Sequence, residues 1–176
     1  YRDVVIPAPP VSQPKHFEQL PEFLRVSMSR QRWFRRFDTP DKYQAMMKAM
    51  YRMITGVDIQ VGRILAEIRK LGLEENTIII YTSDNGFLCG SHGYGSKVLP
   101  YEEASRVPLL MFDPRHTNSG KRLRCASLTG NVDFAPTILE LAGLSVPKNM
   151  DGKSLLKLYN DPKVQTHKAL PLTNVW

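Results

Sequence analysis

The stretch Thr77-Ile78-Ile79-Ile80-Tyr81-Thr82-Ser83-Asp84-Asn85-Gly86 constrains the fold of this chain more than any other. Its continuous β-branched run predicts a strand buried on both faces, as in a mostly parallel sheet flanked by helices, and so an α/β fold. Ligands of open α/β sheets bind beyond the carboxyl ends of such strands. This strand ends in an acid, an amide and a glycine free to turn with positive φ. Asp84 and Asn85 there present hard oxygens suited to a divalent cation or to polar contacts with a substrate. Their position alone leaves both open.

The flanking segments agree with alternating helix and strand. Tyr1 to about Pro14 is proline-rich and favours extended or irregular backbone. Thr39-Pro40-Asp41 is a helix start, with a capping hydroxyl, proline at the first position and an acid in the first turn. Tyr43, Met46, Met47, Met50, Ile54, Val57, Val61, Ile64, Leu65 and Ile68 then recur in steps of three and four, one face of a long amphipathic helix ending near Gly72. Gly56 and Gly62 inside it predict close packing or a break, since each costs about 1 kcal/mol relative to Ala. A short loop at Leu73–Asn76 leads into the strand, half of a βαβ unit. A second strand is expected at Val107–Phe112, with Pro108 near its start, and a capped helix over Asp133–Gly143 with a glycine stop.

The 176 residues are one domain's worth of chain. No apolar run approaches the roughly 20 residues of a membrane span. The abrupt start at Tyr1 and end at Trp176 lead us to expect an internal piece of a longer protein. Cys89 and Cys125 form no C-x-x-C pair, so a cysteine zinc site is not expected; one disulfide or two free thiols both remain open. Part of the net charge of +7 is concentrated at Arg25, Arg30, Arg32, Arg35 and Arg36, with Trp33, Phe34 and Phe37 among them. Such a segment can bind nucleic acid, rim an anionic substrate, or be a solvated face whose aromatics pack inward. The packing reading is preferred, and nucleic acid is not an expected partner.

After the strand, Gly90, Gly93 and Gly95 permit close backbone approach, while His92 and Lys97 supply cationic or proton-donating groups. Cleaving a bound anionic ester needs a cation opposite its charge, a proton donor and a nucleophile. The loop offers the first two.

Tyr81-Thr82-Ser83-Asp84-Asn85-Gly86, Gly90-Ser91-His92-Gly93, Lys97, Tyr101-Glu102-Glu103 and Arg106-Val107-Pro108-Leu109 together resemble the metal-binding and lysine-bearing segment of the type I sulfatases, of the alkaline phosphatase superfamily. Tyr51–Asp58 with Val61–Leu65 is similar to the family's preceding helix, and Asp133–Gly143 with Asp151-Gly152-Lys153-Ser154-Leu155 to its later helix and D-G-x-S turn. The resemblance covers roughly residues 38–158. It divides the chain into an extended, arginine-rich lead (1–37), part of a catalytic domain (38–158) and the start of a further segment (159–176).

The resemblance implies an alkaline-phosphatase-like sandwich and sulfate-ester hydrolysis. It implies that Asp84 and Asn85 ligate calcium and that Lys97 contacts the sulfate and the nucleophile. His92 is the second catalytic candidate, lining the pocket, although a histidine that merely fixes the glycine turn is the preferred reading. Glu102, Glu103 and Arg106 are expected in structural ion pairs, and His16, His116 and His167 at the surface or in loops. The family's nucleophile is a formylglycine made from C/S-x-P/A-x-R; Cys89 and Cys125 lie outside that context, and the family's paired aspartates and two upstream histidines are unmatched. The expected substrate is a sulfate ester, a sulfated carbohydrate over an aryl sulfate, and the family suggests a periplasmic, secreted or lysosomal setting. The alternatives are a metal-dependent phosphoesterase or phosphotransferase of the same superfamily, and a non-catalytic module that binds sulfated glycans.

Overall fold

The computed structural model describes residues 1–172; positions 173–176, the end of the expected last segment, lie outside the described residues. The chain forms two compact units, one of Tyr1–Met111 and one beginning at Phe112.

In the first unit, residues 4–9 have no regular structure, and from a single 3-10 turn at Pro10–Ser12 the lead becomes helical: α1 (Pro14–Glu18), α2 (Glu22–Arg25) and α3 (Met28–Arg36). The extended reading thus holds only for the proline-dense beginning; beyond it, proline recurs at Pro14, the first position of α1, where its missing N–H costs nothing. The following helix, α4, runs without interruption over Pro40–Lys70. Thr39 caps it, its hydroxyl accepting from Lys42 N at 3.3 Å, and Gly72 ends it at φ 67°. Its first turns bury Tyr43 in a cluster with Ile6 and Phe37, against which Trp33, Met46, Met47, Phe87 and Cys89 pack. Further along, the predicted apolar face is open to solvent: Ile54 is 58% and Ile64 60% exposed. Gly56 and Gly62 have open space where a Cβ would stand, so neither the expected close contact nor a break occurs there.

Strand β1 (Ile79–Thr82) pairs with β2 (Leu109–Phe112), which begins two residues later than expected but has Pro108 at its start as expected. β1 is half-buried rather than covered on both faces, and Tyr81 is exposed, because the described sheet has two strands. A second cluster, of Leu88, Tyr94 and Ala104 with Phe17, Leu20, Leu24, Leu99 and Tyr101, lies under the loop that follows β1. Ala104 belongs to the one-turn helix α5 (Glu102–Ser105).

In the second unit, a 3-10 turn (Asn131–Asp133) leads into α6 (Phe134–Leu141), stopped by Gly143 at φ 73°, and α7 spans Leu156–Asn160. Asp133 is fully buried and organises this unit. Its carboxylate accepts from Gly130 N at 2.9 Å and Lys153 N at 2.7 Å, and pairs with His167 Nε2 at 2.8 Å. The D-G-x-S turn is thereby pinned to α6, and Gly152 is required because a Cβ there would run into the Val132 carbonyl. His167 lies in a loop, as expected, with its ring turned inward: a buried carboxylate needs a partner, and the imidazole supplies it. His16 is exposed, and His116 contacts Asn160 and Tyr159 near the surface.

Candidate functional site

The site lies at the carboxyl end of β1 and is built by one closed loop. Leu88 N donates to Ser96 O at 2.7 Å and Gly90 N to Tyr94 O at 3.0 Å, so residues 86–97 fold back on themselves. The loop's base is closed by side chains: Lys97 Nζ donates to Asn85 Oδ1 at 2.7 Å. Asp84 is exposed, and its Oδ1 accepts from Asn85 N at 2.8 Å. Three of the four candidates are therefore neighbours.

Gly86 does not use its freedom to turn. Its φ is not positive; instead its N–H donates to Ala104 O at 2.8 Å, and a Cβ would collide with the Glu103 carbonyl oxygen. Close approach of α5, not a turn, demands glycine here. The left-handed conformations fall at Gly90 (φ 88°), Gly93 (φ 76°) and, between them, His92 (φ 57°). That region is uncommon for residues other than glycine, with Asn, Asp and His the more frequent exceptions.

His92 is held at this tip by two contacts: its Nε2 lies 3.1 Å from Glu103 Oε1, and its ring stacks on Tyr101 with centroids 4.2 Å apart. Both contacts tie the ring to α5 and to the residue just before it. Glu103 is thus engaged by the His92 ring, while Glu102 and Arg106 are exposed. Burial pushes the Tyr94 phenol up to about 12, so the ring is a neutral core group.

Both cysteines are free thiols. Cys89 is half-buried with Sγ 3.6 Å from Met50 Sδ, and burial pushes its thiol pKa up, the opposite of what a nucleophilic thiolate needs. The carboxylate and amide oxygens of Asp84 and Asn85 are the donor type a hard cation takes. Among the described residues no group of three or more His, Cys, Asp or Glu side chains is placed to hold a metal ion.

Sequence reasoning missed what holds the loop. Arg30 Nη1 donates to Gly93 O at 2.9 Å and Arg32 Nη1 to Ser96 Oγ at 3.0 Å. The aromatics spaced among the arginines were the available signal, since the Arg30 guanidinium lies 3.8 Å from the Phe17 ring centroid and 3.9 Å from that of Trp33.

The described residues combine helices with a two-stranded sheet, as an α/β protein does, and one strand ends in an acid–amide pair to which a glycine loop returns a lysine. The chain belongs to the sulfatase family, whose pattern it matches over residues 10–144. It is 43% identical over 114 residues to an N-acetylglucosamine-6-O-sulfatase of Bacteroides thetaiotaomicron, which covers 65% of this chain and 20% of that protein. Among solved structures, one described as bound to its substrate D-glucosamine-2-N,6-O-disulfate is 38% identical, with a TM-score of 0.60 over 73% of this chain and 26% of that one. A phosphonate monoester hydrolase of Agrobacterium radiobacter is 31% identical, with a TM-score of 0.61 over 67% of this chain and 23% of that one. The chain spans about a fifth of the length of the curated relatives it matches. No helix among the described residues is long and apolar enough to cross a membrane.

Proposed function

We propose that this chain supplies part of the cation and sulfate site of a sulfuric ester hydrolase, and that its substrate is a sulfated sugar. The observation that carries this reading is the 2.7 Å contact between Lys97 Nζ and Asn85 Oδ1, which sets a cationic group beside the two oxygens that suit calcium. Asp84 and Asn85 would hold the ion with oxygens from elsewhere in the enzyme, because calcium takes six to eight. When bound, calcium polarises the sulfate oxygens.

Lys97 offsets negative charge that grows on the sulfate oxygens as the ester bond breaks, an effect that is large where water is excluded. Asn85 aims Lys97 by accepting one of its three N–H donors, which leaves two for the substrate. His92, tied to Glu103 and Tyr101, shapes the loop rather than transferring a proton. The nucleophile we assign to a formylglycine outside this segment, since neither cysteine lies in the required C/S-x-P/A-x-R context. The sugar preference is drawn from the two relatives whose names specify sulfated glucosamine.

A second reading is favoured by the likeness to a phosphonate monoester hydrolase, since a tetrahedral phosphorus anion suits the same strand end. Assay of the intact enzyme on N-acetylglucosamine 6-sulfate and on an aryl phosphonate monoester separates the two. We expect the sulfate ester to have the higher kcat/KM by at least tenfold; the reverse order would replace our reading with the second.

A further inference from the structure

Helix α3 meets the lysine loop at three successive points. Ser29 O accepts from Gly95 N at 3.1 Å, Arg30 Nη1 donates to Gly93 O at 2.9 Å, and Arg32 Nη1 donates to Ser96 Oγ at 3.0 Å. Between these bonds the fit is tight: a Cβ at Gly95 would stand 3.0 Å from the Phe37 ring and 3.1 Å from Trp33 Cα. Ser29 and Ser96 are both fully buried. Arg30 and Arg32, at the heart of the basic segment, are thus turned onto the protein's own loop, one onto a carbonyl and one onto a hydroxyl, and Arg30 is further enclosed by the rings of Phe17, Trp33 and Phe34. Arg35, on the same helix, is exposed.

The last of these contacts falls on the residue directly before Lys97. We propose that Arg32 is a positioning residue for Lys97: by holding the buried Ser96 hydroxyl it fixes the backbone from which the ammonium reaches Asn85. Ser96 is held from both sides, because its carbonyl also accepts from Leu88 N at 2.7 Å. Lysine needs such support, being a flexible stem carrying a point charge with no planar fork to orient it. A shift of about 1 Å in a charge-bearing group can cost up to about 100-fold in rate. This inference rests on the reading of Lys97 as the sulfate contact.

The test uses the intact enzyme, with thermal unfolding followed beside steady-state kinetics on a sulfate ester. Arg32→Met and Ser96→Ala should each lower kcat about tenfold while KM changes less and the melting temperature stays near that of the parent. Arg32→Lys, which keeps a donor, should recover part of the loss, and Arg35→Met should leave kcat unchanged. In a Lys97→Ala background, Arg32→Met should cause little further loss, because residues acting through one another are not additive. A fully active Lys97→Ala enzyme would sink the role of Lys97 and this inference together. A crippled Lys97→Ala enzyme beside a normal kcat for Arg32→Met, or full multiplication of the two losses, would sink this inference alone. Where Lys97→Ala turnover is too slow to measure, the kcat of Arg32→Met decides by itself.

Discussion

Lys97 and Asn85, twelve positions apart in sequence, meet at 2.7 Å, with the ammonium donating to the amide oxygen that we propose as a cation ligand. In the proposed site that one oxygen would face two positive partners. A divalent ion on Asp84 and Asn85 and the Lys97 ammonium repel each other, so cation affinity and lysine placement are coupled.

That coupling has a sign. In calorimetric titration this chain by itself should bind calcium only at about millimolar concentration or above, as befits two oxygens of the six to eight required. Asp84→Ala should abolish the signal. Lys97→Met should tighten binding about fivefold by removing a neighbouring positive charge, on the order of 1 kcal/mol at close range near water. Unchanged affinity in both variants would show that the ion, if it binds, sits elsewhere.

Gly86 is a packing requirement. Because a Cβ there points into the Glu103 carbonyl, Gly86→Ala must push α5 away from the end of β1. We expect a loss of about 1–3 kcal/mol, the usual cost of forcing extra volume into a packed contact, read from the urea midpoint at an unchanged m-value. A midpoint equal to that of the parent would mean the two segments separate freely.

Acid sensitivity should be traceable to Asp113 in the second unit. Arg115 donates Nε to Asp113 Oδ1 and Nη2 to Oδ2, both at 2.9 Å, and these bonds hold the buried carboxyl below the usual carboxylate range. The folded pKa lies below the unfolded one of about 3.9. The contribution is therefore complete above the unfolded value and lost as pH falls through the folded one. The gap in melting temperature between the parent and Asp113→Asn should be constant from pH 7 to about pH 5 and shrink toward pH 3. A gap that stays constant down to pH 3 would contradict this.

How much was legible in the sequence depended on whether a feature is local. The Thr39 cap, the Gly72 and Gly143 stops, Pro108 at the start of β2 and the acid–amide strand end are set by neighbouring residues, and each was read correctly. Burial is not local. The apolar face of α4 and the β-branched run of β1 carry the right periodicity, yet Ile54, Ile64 and Tyr81 are exposed because the pattern names a face without naming what covers it. Partners far apart in sequence were hidden for the same reason. Nothing near His167 announces Asp133, and nothing near Arg32 announces Ser96. Of the candidate site, the identities of Asp84, Asn85 and Lys97 came from ordered motifs; the contact that joins Asn85 to Lys97, and the commitment of His92 to Glu103, required three dimensions.

The most direct test of the central claim is the kcat/KM of the intact enzyme for N-acetylglucosamine 6-sulfate before and after Lys97→Ala. If Lys97 faces the sulfate from the end of β1, kcat/KM should fall by about 100- to 1,000-fold, as when one preorganised donor is removed from a charge-stabilising site, with the melting temperature unchanged. A value within twofold of the parent would place the sulfate away from Lys97 and contradict the account.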